Sequence, residues 1–399
     1  MNHSYLTRIM MSLMALLLLG SCGDDDDSLE PQGPPAEVSR TVLVYMIADN
    51  NLASDWGSDD EDISEMLKAA KAGGLNGGRL LVYHNRLGTS KGNVPEMLEI
   101  TANGLKTLKQ YPDDRTIYSV DPERIREVMV DLKTLAPAED YGLVLWSHAN
   151  GWLGAPAGSE DYYRSFGDDR GYHITLPSLA KALEDEEFSF LYLDCCLMGN
   201  IECVYELRNV APRIVAAPTE LHVDGMPYDR NVPLMFLETP DLDGMARNTF
   251  DYYDDYKGNK PFTPWCQIAS YDTSGLETLA QATRDIMATV TEYKPIPADL
   301  QRYTTPWETC HTADIDGYIS LLAGDSHPEL LKAWREALGQ VVTYCESTTK
   351  SIGSLTIDLD KYSGLGIYPI TSPSDANWRQ YYNLAWWKDV ASTAPAAKQ

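Results

Sequence analysis

Four short runs of aliphatic and β-branched residues mark the first half of the chain, at residues 41–47, 79–84, 141–147 and 188–194. They are apolar throughout rather than alternating, the pattern of strands covered on both faces. Apolar residues at helical spacing between them predict helices over 63–72, 122–135 and 176–183. A fifth run, 213–217, follows a helix-compatible stretch at 201–209. Strand and helix alternate from about 40 to 220, which predicts an α/β domain built on a mostly parallel sheet. In the second half, Ser274-Gly275-Leu276-Glu277 reads as a capping box opening a helix to about 293. Ser326-His327-Pro328-Glu329 opens another to about 345, with Cys345 on its apolar face as a core residue. Segments 267–271 and 364–370 read as strands. The pattern leaves open whether this half extends the first sheet or forms a subdomain, and it shows no internal repeat.

The first 22 residues read as an address. Arg8 is the only charge among residues 1–21, an apolar stretch covers 9–19, and Leu19-Gly20-Ser21-Cys22 follows. A charged start, a short apolar region and small residues before a cleavage point make an export signal. With cysteine as the next residue it resembles a bacterial lipoprotein signal, which makes Cys22 the acylated N-terminus. Gly23-Asp24-Asp25-Asp26-Asp27 and the prolines 31, 34 and 35 cannot build a core, so residues 23–38 read as a solvated tether. An acidic run directly after the lipidated cysteine resembles the surface-export signal of lipoproteins in the Bacteroides group. The plainer alternatives are a secretory leader with an incidental cysteine, followed by a featureless spacer.

Composition narrows the function. The 399 residues carry 59 acidic and 32 basic side chains, a formal charge of −27 that repels phosphate backbones and argues against a nucleic-acid partner. No apolar run reaches the ~18–20 residues that a membrane-spanning helix needs. Cys195, Cys196, Cys203, Cys266, Cys310 and Cys345 remain after Cys22, with no regular disulfide framework among them.

Each early apolar run ends in polar residues: Asp49-Asn50-Asn51, Asn85-Arg86, His148-Ala149-Asn150-Gly151 and Asp194-Cys195-Cys196. In an open parallel sheet such ends share one edge, where ligands bind. A cysteine and a histidine thus arrive on the same rim, the minimum for attack by a thiolate with a proton carrier beside it. Spacing alone leaves His84, His173, His222, His311 and His327 open as partners, and inert burial open for the cysteines. There is no His-Glu-x-x-His, no pair of Cys-x-x-Cys, no glycine-rich phosphate loop and no Gly-x-Ser-x-Gly.

At these residues the chain resembles the clostripain family of cysteine peptidases, whose fold is related to caspases, gingipains and legumain. The matching motifs are residues 44–52 (Val-Tyr-Met-Ile-Ala-Asp-Asn-Asn-Leu), Trp146-Ser147-His148 with Gly151-Trp152, Asp194-Cys195-Cys196-Leu197-Met198-Gly199, Tyr205-Glu206-Leu207-Arg208 and Asp224-Gly225-Met226-Pro227-Tyr228. They stand in family order across about half the chain, and Gly364-Leu365-Gly366-Ile367-Tyr368-Pro369 resembles the family's C-terminal strand. The resemblance implies a caspase-like α/β core over 39–235, a mostly parallel sheet flanked by helices, and a mixed C-terminal α/β extension or subdomain over 236–399. It implies Cys196 as nucleophile and His148 as general base and acid. The backbone N–H groups of Ala149 and Cys196 would face the oxyanion, and Cys195 would point into the core. It also implies an acidic P1 pocket for Arg or Lys, with Asp194 and Asp224 as its carboxylates. From their local sequence alone, Asp194 could instead cap a helix and Asp224 could be a turn residue.

Two positions depart from the family pattern. Ala149 stands where glycine is common, which matters if the site needs positive φ. The stretch 216–220 (Ala-Ala-Pro-Thr-Glu) differs from the expected lining of the pocket. Calcium dependence and self-cleavage recur in the family. The acidic segment Asp55, Asp59, Asp60, Glu61, Asp62 offers oxygen ligands but lacks EF-hand spacing, and reads more simply as a solvated helix start. Arg164 and Arg170, in the loop before the cysteine strand, are candidate self-cleavage sites.

The reading that emerges is a monomeric, lipid-anchored endopeptidase on the outer membrane and cell surface. It acts on protein or peptide substrates without a cofactor for the chemistry, and calcium is a candidate ligand of unassigned site. The alternatives are a non-catalytic surface lipoprotein that captures peptide or glycan, and a peptidase with non-basic P1 preference.

Overall fold

The computed structural model of the chain describes residues 37–88, 92–112, 116–153, 165–255, 264–304, 312–370 and 378–398. The leader, Cys22, most of the tether, Arg164 and His311 lie outside the described residues. The strands are β1 (Val38–Ile47), β2 (Arg79–Asn85), β3 (Glu96–Thr101), β4 (Gly104–Gln110), β5 (Ala138–Trp146), β6 (Phe166–Asp169), β7 (Tyr172–Ile174), β8 (Phe190–Asp194), β9 (Arg213–Ala216), β10 (Gln267–Asp272), β11 (Ala313–Asp314), β12 (Val342–Ser347) and β13 (Gly366–Ile367). Nine of them form one sheet in the order β12-β10-β9-β8-β5-β1-β2-β3-β4. The central five, β9-β8-β5-β1-β2, are mutually parallel. Antiparallel strands close both edges.

The helices are α1 (Ser58–Lys71), α2 (Pro122–Leu135), α3 (Leu176–Ala182), α4 (Ile201–Glu206), α5 (Tyr228–Met235), α6 (Leu242–Asp254), α7 (Leu276–Met287), α8 (Ile315–Ala323), α9 (Pro328–Val341), α10 (Trp378–Tyr381) and α11 (Ala385–Asp389). Side chains alternate across a strand, so each unbroken apolar run feeds two cores. Leu43, Tyr45 and Ile47 of β1 pack with residues of α2, α3, α4, α7, α8, α9 and α11. Val42, Val44 and Met46 face the other way, against α1, α5 and α6. The result is a helix–sheet–helix sandwich.

The second half contributes β10 and β12 to the same sheet, at its antiparallel edge. Several local expectations give way here. Cys345 lies in the edge strand β12, because the helix ends at Val341 and the chain turns back to pair with β10. The Ser274 capping box does not form. Asp272 caps this turn instead, its carboxylate accepting from Ser274 N–H at 2.9 Å, and the helix ends at Met287 rather than 293. Strand 364–370 shortens to β13, paired with β11. The hairpin of β3 and β4 was not anticipated. Its outer strand is largely exposed and carries Lys106 and Lys109, an edge protected by charge rather than by an apolar run.

Candidate active site

β5 and β8 are adjacent and parallel, with Trp146 opposite Asp194. The residues two positions beyond, His148 and Cys196, therefore leave the sheet at the same edge on neighbouring strands. β1 lies on the other side of β5, with Met46 opposite Trp146, and ends in Asp49-Asn50-Asn51. The connections diverge here: β1 runs outward to β2, while β5, β8 and β9 fill the opposite side. Open α/β sheets bind ligands at such a reversal. A cavity of about 750 Å³ opens there, lined among others by Leu52, His148, Asp194, Cys196, Trp265 and Ile352.

The histidine loop is tied to β1 and to the β6–β7 hairpin. Ser147 Oγ donates to Ile47 O at 2.9 Å and accepts from Asp168 N–H at 3.1 Å. Gly167 N–H donates to His148 O, and Asn150 N–H to Ser165 O. These two bonds flank Ala149 and leave its N–H outside the ladder. The left-handed backbone falls two residues later, at Gly151 with φ +62°, where a Cβ would stand 3.0 Å from Leu197 O. Alanine at 149 is thus compatible with the loop, since that position does not take positive φ.

The cysteine loop is held more tightly. Cys195 is buried in the core, and burial pushes its thiol well above the ordinary range. Leu197 takes φ +60°, a conformation that costs a side-chain-bearing residue roughly 1–2 kcal/mol. The surrounding bonds sustain it. Leu197 N–H donates to Thr219 O at 2.8 Å, Gly199 N–H to Ala217 O at 2.8 Å, and Gly366 N–H to Gly199 O at 2.9 Å. A Cβ at Gly199 would lie 2.6 Å from Pro218 N, and one at Gly366 1.8 Å from Asn200 Oδ1. Gly199 therefore serves the close approach of the chain at Ala217 and Pro218, and Gly366 that of β13 to Asn200 beneath this loop. Cys196 itself is half-buried, and its Sγ accepts from Leu221 N–H at 3.3 Å.

Asp194 is 4% exposed and contributes to the cavity wall. Its Oδ1 accepts from Met226 N–H at 3.1 Å and its Oδ2 from Tyr228 OH at 2.9 Å. Gly225, at φ +58°, allows the approach, since a Cβ there would come within 3.1 Å of both carboxylate oxygens. Burial pushes the Asp194 carboxyl up to about 6, against the opposing pull of the Tyr228 and Met226 hydrogen bonds. Each oxygen keeps a second lone pair for a ligand.

The model of the clostripain family matches residues 44–357, most of the chain. The chain belongs to the clostripain family of cysteine peptidases. It is similar to the crystal structure of an inactive zymogen C11 protease from Parabacteroides distasonis, with 27% identity and a TM-score of 0.74 over 89% of this chain and 99% of that one. It is also similar to a secreted C11 cysteine protease from Bacteroides thetaiotaomicron, solved with an irreversible peptide inhibitor. There the identity is 25% and the TM-score 0.75, over 88% and 99% of the two chains. No curated protein matches the chain.

Within this clostripain-family fold the other expected site residues fall differently. Asp194 caps no helix; Asn200 precedes α4. Asp224 does not line the cavity. It sits in the turn closed by Gly225 N–H donating to His222 O at 2.9 Å, with its carboxylate 3.7 Å from His222 Nδ1. The motif of residues 224–228 acts instead through Gly225, Met226 and Tyr228, which cradle Asp194. Among the alternative histidines, His84 is buried against Asp59 at 2.9 Å and His173 meets Gly167 O. His222 does line the cavity, packed between Trp265 and Tyr253 with Nδ1 accepting from Asp224 N–H at 3.3 Å. Arg170 occupies the turn between β6 and β7 at φ +55°, its Nε donating to Asp169 at 2.8 Å and its guanidinium 4.5 Å above the Tyr118 ring.

The acidic segment at the start of α1 is not simply solvated. Asp59 and Asp62 are buried, Asp59 against His84 and Asp62 accepting from Trp146 Nε1–H at 2.7 Å. Among the described residues, no group of three or more His, Cys, Asp or Glu side chains is arranged to hold a metal ion.

One contact was missed although its motif was in view. Asn51 Oδ1, which can only accept, lies 2.6 Å from His148 Nε2. Nε2 must therefore carry the proton, leaving the lone pair of the neutral ring on Nδ1. Nothing in the sequence separates Asn51 from Asn50, whose side chain instead ties the loop through Ile47 O, Asp168 O and Leu52 N–H. Asn51→Ala is expected to lower kcat roughly 10-fold with little change in KM, and Asn51→Gln to recover little of it. A pH–rate profile separates positioning from loss of fold: the acid limb should move in the variant while its melting temperature stays put.

Proposed function

We propose that the chain hydrolyses peptide bonds after Arg or Lys, with Cys196 as nucleophile and His148 as its proton carrier, from a lipid anchor at Cys22. The observation that carries the reading is the single cavity shared by Cys196, His148 and the Asp194 carboxylate. Cys196 Sγ attacks the scissile carbonyl carbon, and the thiol proton passes to the imidazole and on to the leaving amine. Water, deprotonated by the same imidazole, then attacks the thioester and releases the new carboxylate. The N–H groups of Ala149 and Cys196 donate to the oxygen that carries negative charge in both tetrahedral intermediates. Asp194 receives the guanidinium or ammonium of P1, and a fork of donors suits its two oxygens. Asp224 is left out of the contact set because it does not line the cavity.

For self-cleavage Arg164 is the better candidate, since peptidases take extended chain and Arg170 is folded into a bonded hairpin turn. The Leu19-Gly20-Ser21-Cys22 pattern and the aspartates after it support export, acylation at Cys22 and display on the cell surface. Calcium enters only as a variable of the test, with no residue assigned to it.

The test incubates the mature chain with fluorogenic peptides ending in Arg, Lys, Ala or Leu, with and without calcium. Cleavage should follow Arg and Lys by at least 10²-fold over Ala and Leu. Cleavage only after uncharged residues would overturn the P1 assignment, and an inert, uncut chain would favour capture without turnover.

A further inference from the structure

A second buried carboxyl group stands behind the cavity wall that Asp194 lines, linked to it through Trp146. Trp146 and Asp194 are register partners on β5 and β8, and both line the cavity. The Trp146 indole turns its N–H away from the cavity to donate to Asp62 Oδ2 at 2.7 Å, on the buried face of α1. Asp62 is 2% exposed. Two carboxyl groups thus stand behind one wall, held by neighbouring donors: Trp146 for Asp62, and Tyr228 with Met226 N–H for Asp194.

Resting on the basic-P1 reading above, we propose that Asp62 is a second specificity determinant, acting through Asp194 rather than by touching substrate. The pair holds one proton while the pocket is empty and releases it to solvent when a guanidinium or ammonium enters.

The electrostatics around the pair support this. Burial pushes the Asp62 carboxyl well up, and Asp194 is the largest charged influence on it, followed by Glu65 and Glu61 of its own helix. Glu65, accepting from Tyr228 N–H at 2.8 Å, is itself pushed up to about 7 by burial and by Asp229. Tyr228 from α5 faces both aspartates, and Tyr192 lies beside Asp194. The lysines around the pair have other partners: Lys68 is bonded to Asp229, and Lys350, which lines the same cavity as Asp194, donates to Thr356 Oγ1 at 2.8 Å, while His84 is bonded to Asp59. Two buried carboxyl groups that repel one another do not both ionise cheaply, so one proton is shared between them. An incoming cation reverses that balance. The empty pair carries one negative charge and the occupied pair two, with the proton passed to buffer.

The experiment measures proton release on binding benzamidine at pH 7.5, by titration calorimetry in two buffers of different ionisation enthalpy. Cys196→Ala serves as the binding form, so that the half-buried thiol of the cavity cannot titrate. Release approaching one proton per site is expected. A lone Asp194, titrating at about 6, would already be ionised at pH 7.5 and release almost none. Adding Asp62→Asn, which retains an acceptor for the Trp146 N–H, should bring release close to zero. In the otherwise wild-type enzyme the same substitution should move the rise of Arg-over-citrulline selectivity at least one pH unit lower. Saturable benzamidine binding with no proton release overturns the proposal and leaves the basic-P1 reading standing. Absence of binding together with no cleavage after Arg or Lys overturns both. Because the first measurement needs no change at Asp62, a misfolded Asp62→Asn cannot obscure the result.

Discussion

Cys196→Ala is expected to lower kcat/KM on an Arg-ending peptide by at least about 10⁴-fold, with the protein folded and still binding the peptide. In this reading the acyl intermediate forms on the half-buried Cys196 thiol of the cavity. What survives its loss is orientation of the peptide and whatever the oxyanion donors contribute to direct attack by water. Cys195 next door cannot substitute: it is buried in the core and its thiol is pushed far above the physiological range. His148→Ala should cost a similar factor, and the double variant little more than either single, because thiol and imidazole act as one unit. Stability offers the control. Cys196 is half-buried and its Sγ meets Leu221 N–H, so the alanine variant should melt within a few degrees of the parent. Single-turnover cleavage with mass spectrometry reads both sides: the parent accumulates an adduct of peptide acyl mass at Cys196, and the variant none. More than a tenth of parental activity in Cys196→Ala would remove this cysteine from the mechanism.

The α/β core was legible because its central strands are apolar on both faces, and 41–47, 79–84, 141–147 and 188–194 contain no other pattern. Where burial is one-sided the signal fades. β4 is largely exposed, carries Lys106 and Lys109, and has neither an unbroken apolar run nor strict alternation to mark it. β12 follows α9 without a break in apolar content, and periodicity alone could not show where the helix at Val341 gives way to strand. Partnership with β10 decides that boundary, and no local pattern carries it. The capping box at Ser274 failed for a related reason: Asp272, two residues earlier, binds the same N–H with a charged oxygen.

The edge where His148 and Cys196 meet was legible from strand order, since each follows the end of an apolar run within two residues. The motif at 224–228 was visible, but which of its residues faces the cavity was not. Chain order draws attention to the charged Asp224. Backbone direction at Gly225 turns that side chain toward His222 and delivers Met226 N–H and Tyr228 OH to Asp194. Asp62 was hidden in the same way, as one acid among five, until the Trp146 indole picked it out.

Asp194→Asn should reduce kcat/KM on Arg- and Lys-ending peptides by roughly 10²–10³-fold while changing cleavage after citrulline much less. Citrulline keeps the shape and most donors of arginine without its charge, so the ratio isolates the ion pair. The substitution suits the cradle: its oxygen accepts from Met226 N–H, and its amide can donate to Tyr228 oxygen once that hydroxyl rotates. It also removes a titration that the folded protein resists. Folding raises the Asp194 carboxyl from an ordinary 3.8 to about 6, so its contribution to stability is present below pH 4 and lost as pH rises through about 6. By linkage this costs the parent at most ~3 kcal/mol at neutral pH. The asparagine variant does not titrate here. Its melting temperature relative to the parent should therefore climb between pH 4 and 7 and level off above. Lost selectivity for Arg with gained stability at neutral pH is the signature of a carboxylate kept for substrate rather than for the fold. Lost stability at pH 7.5, or an equal loss on Arg and citrulline, would assign Asp194 to the architecture of the wall instead.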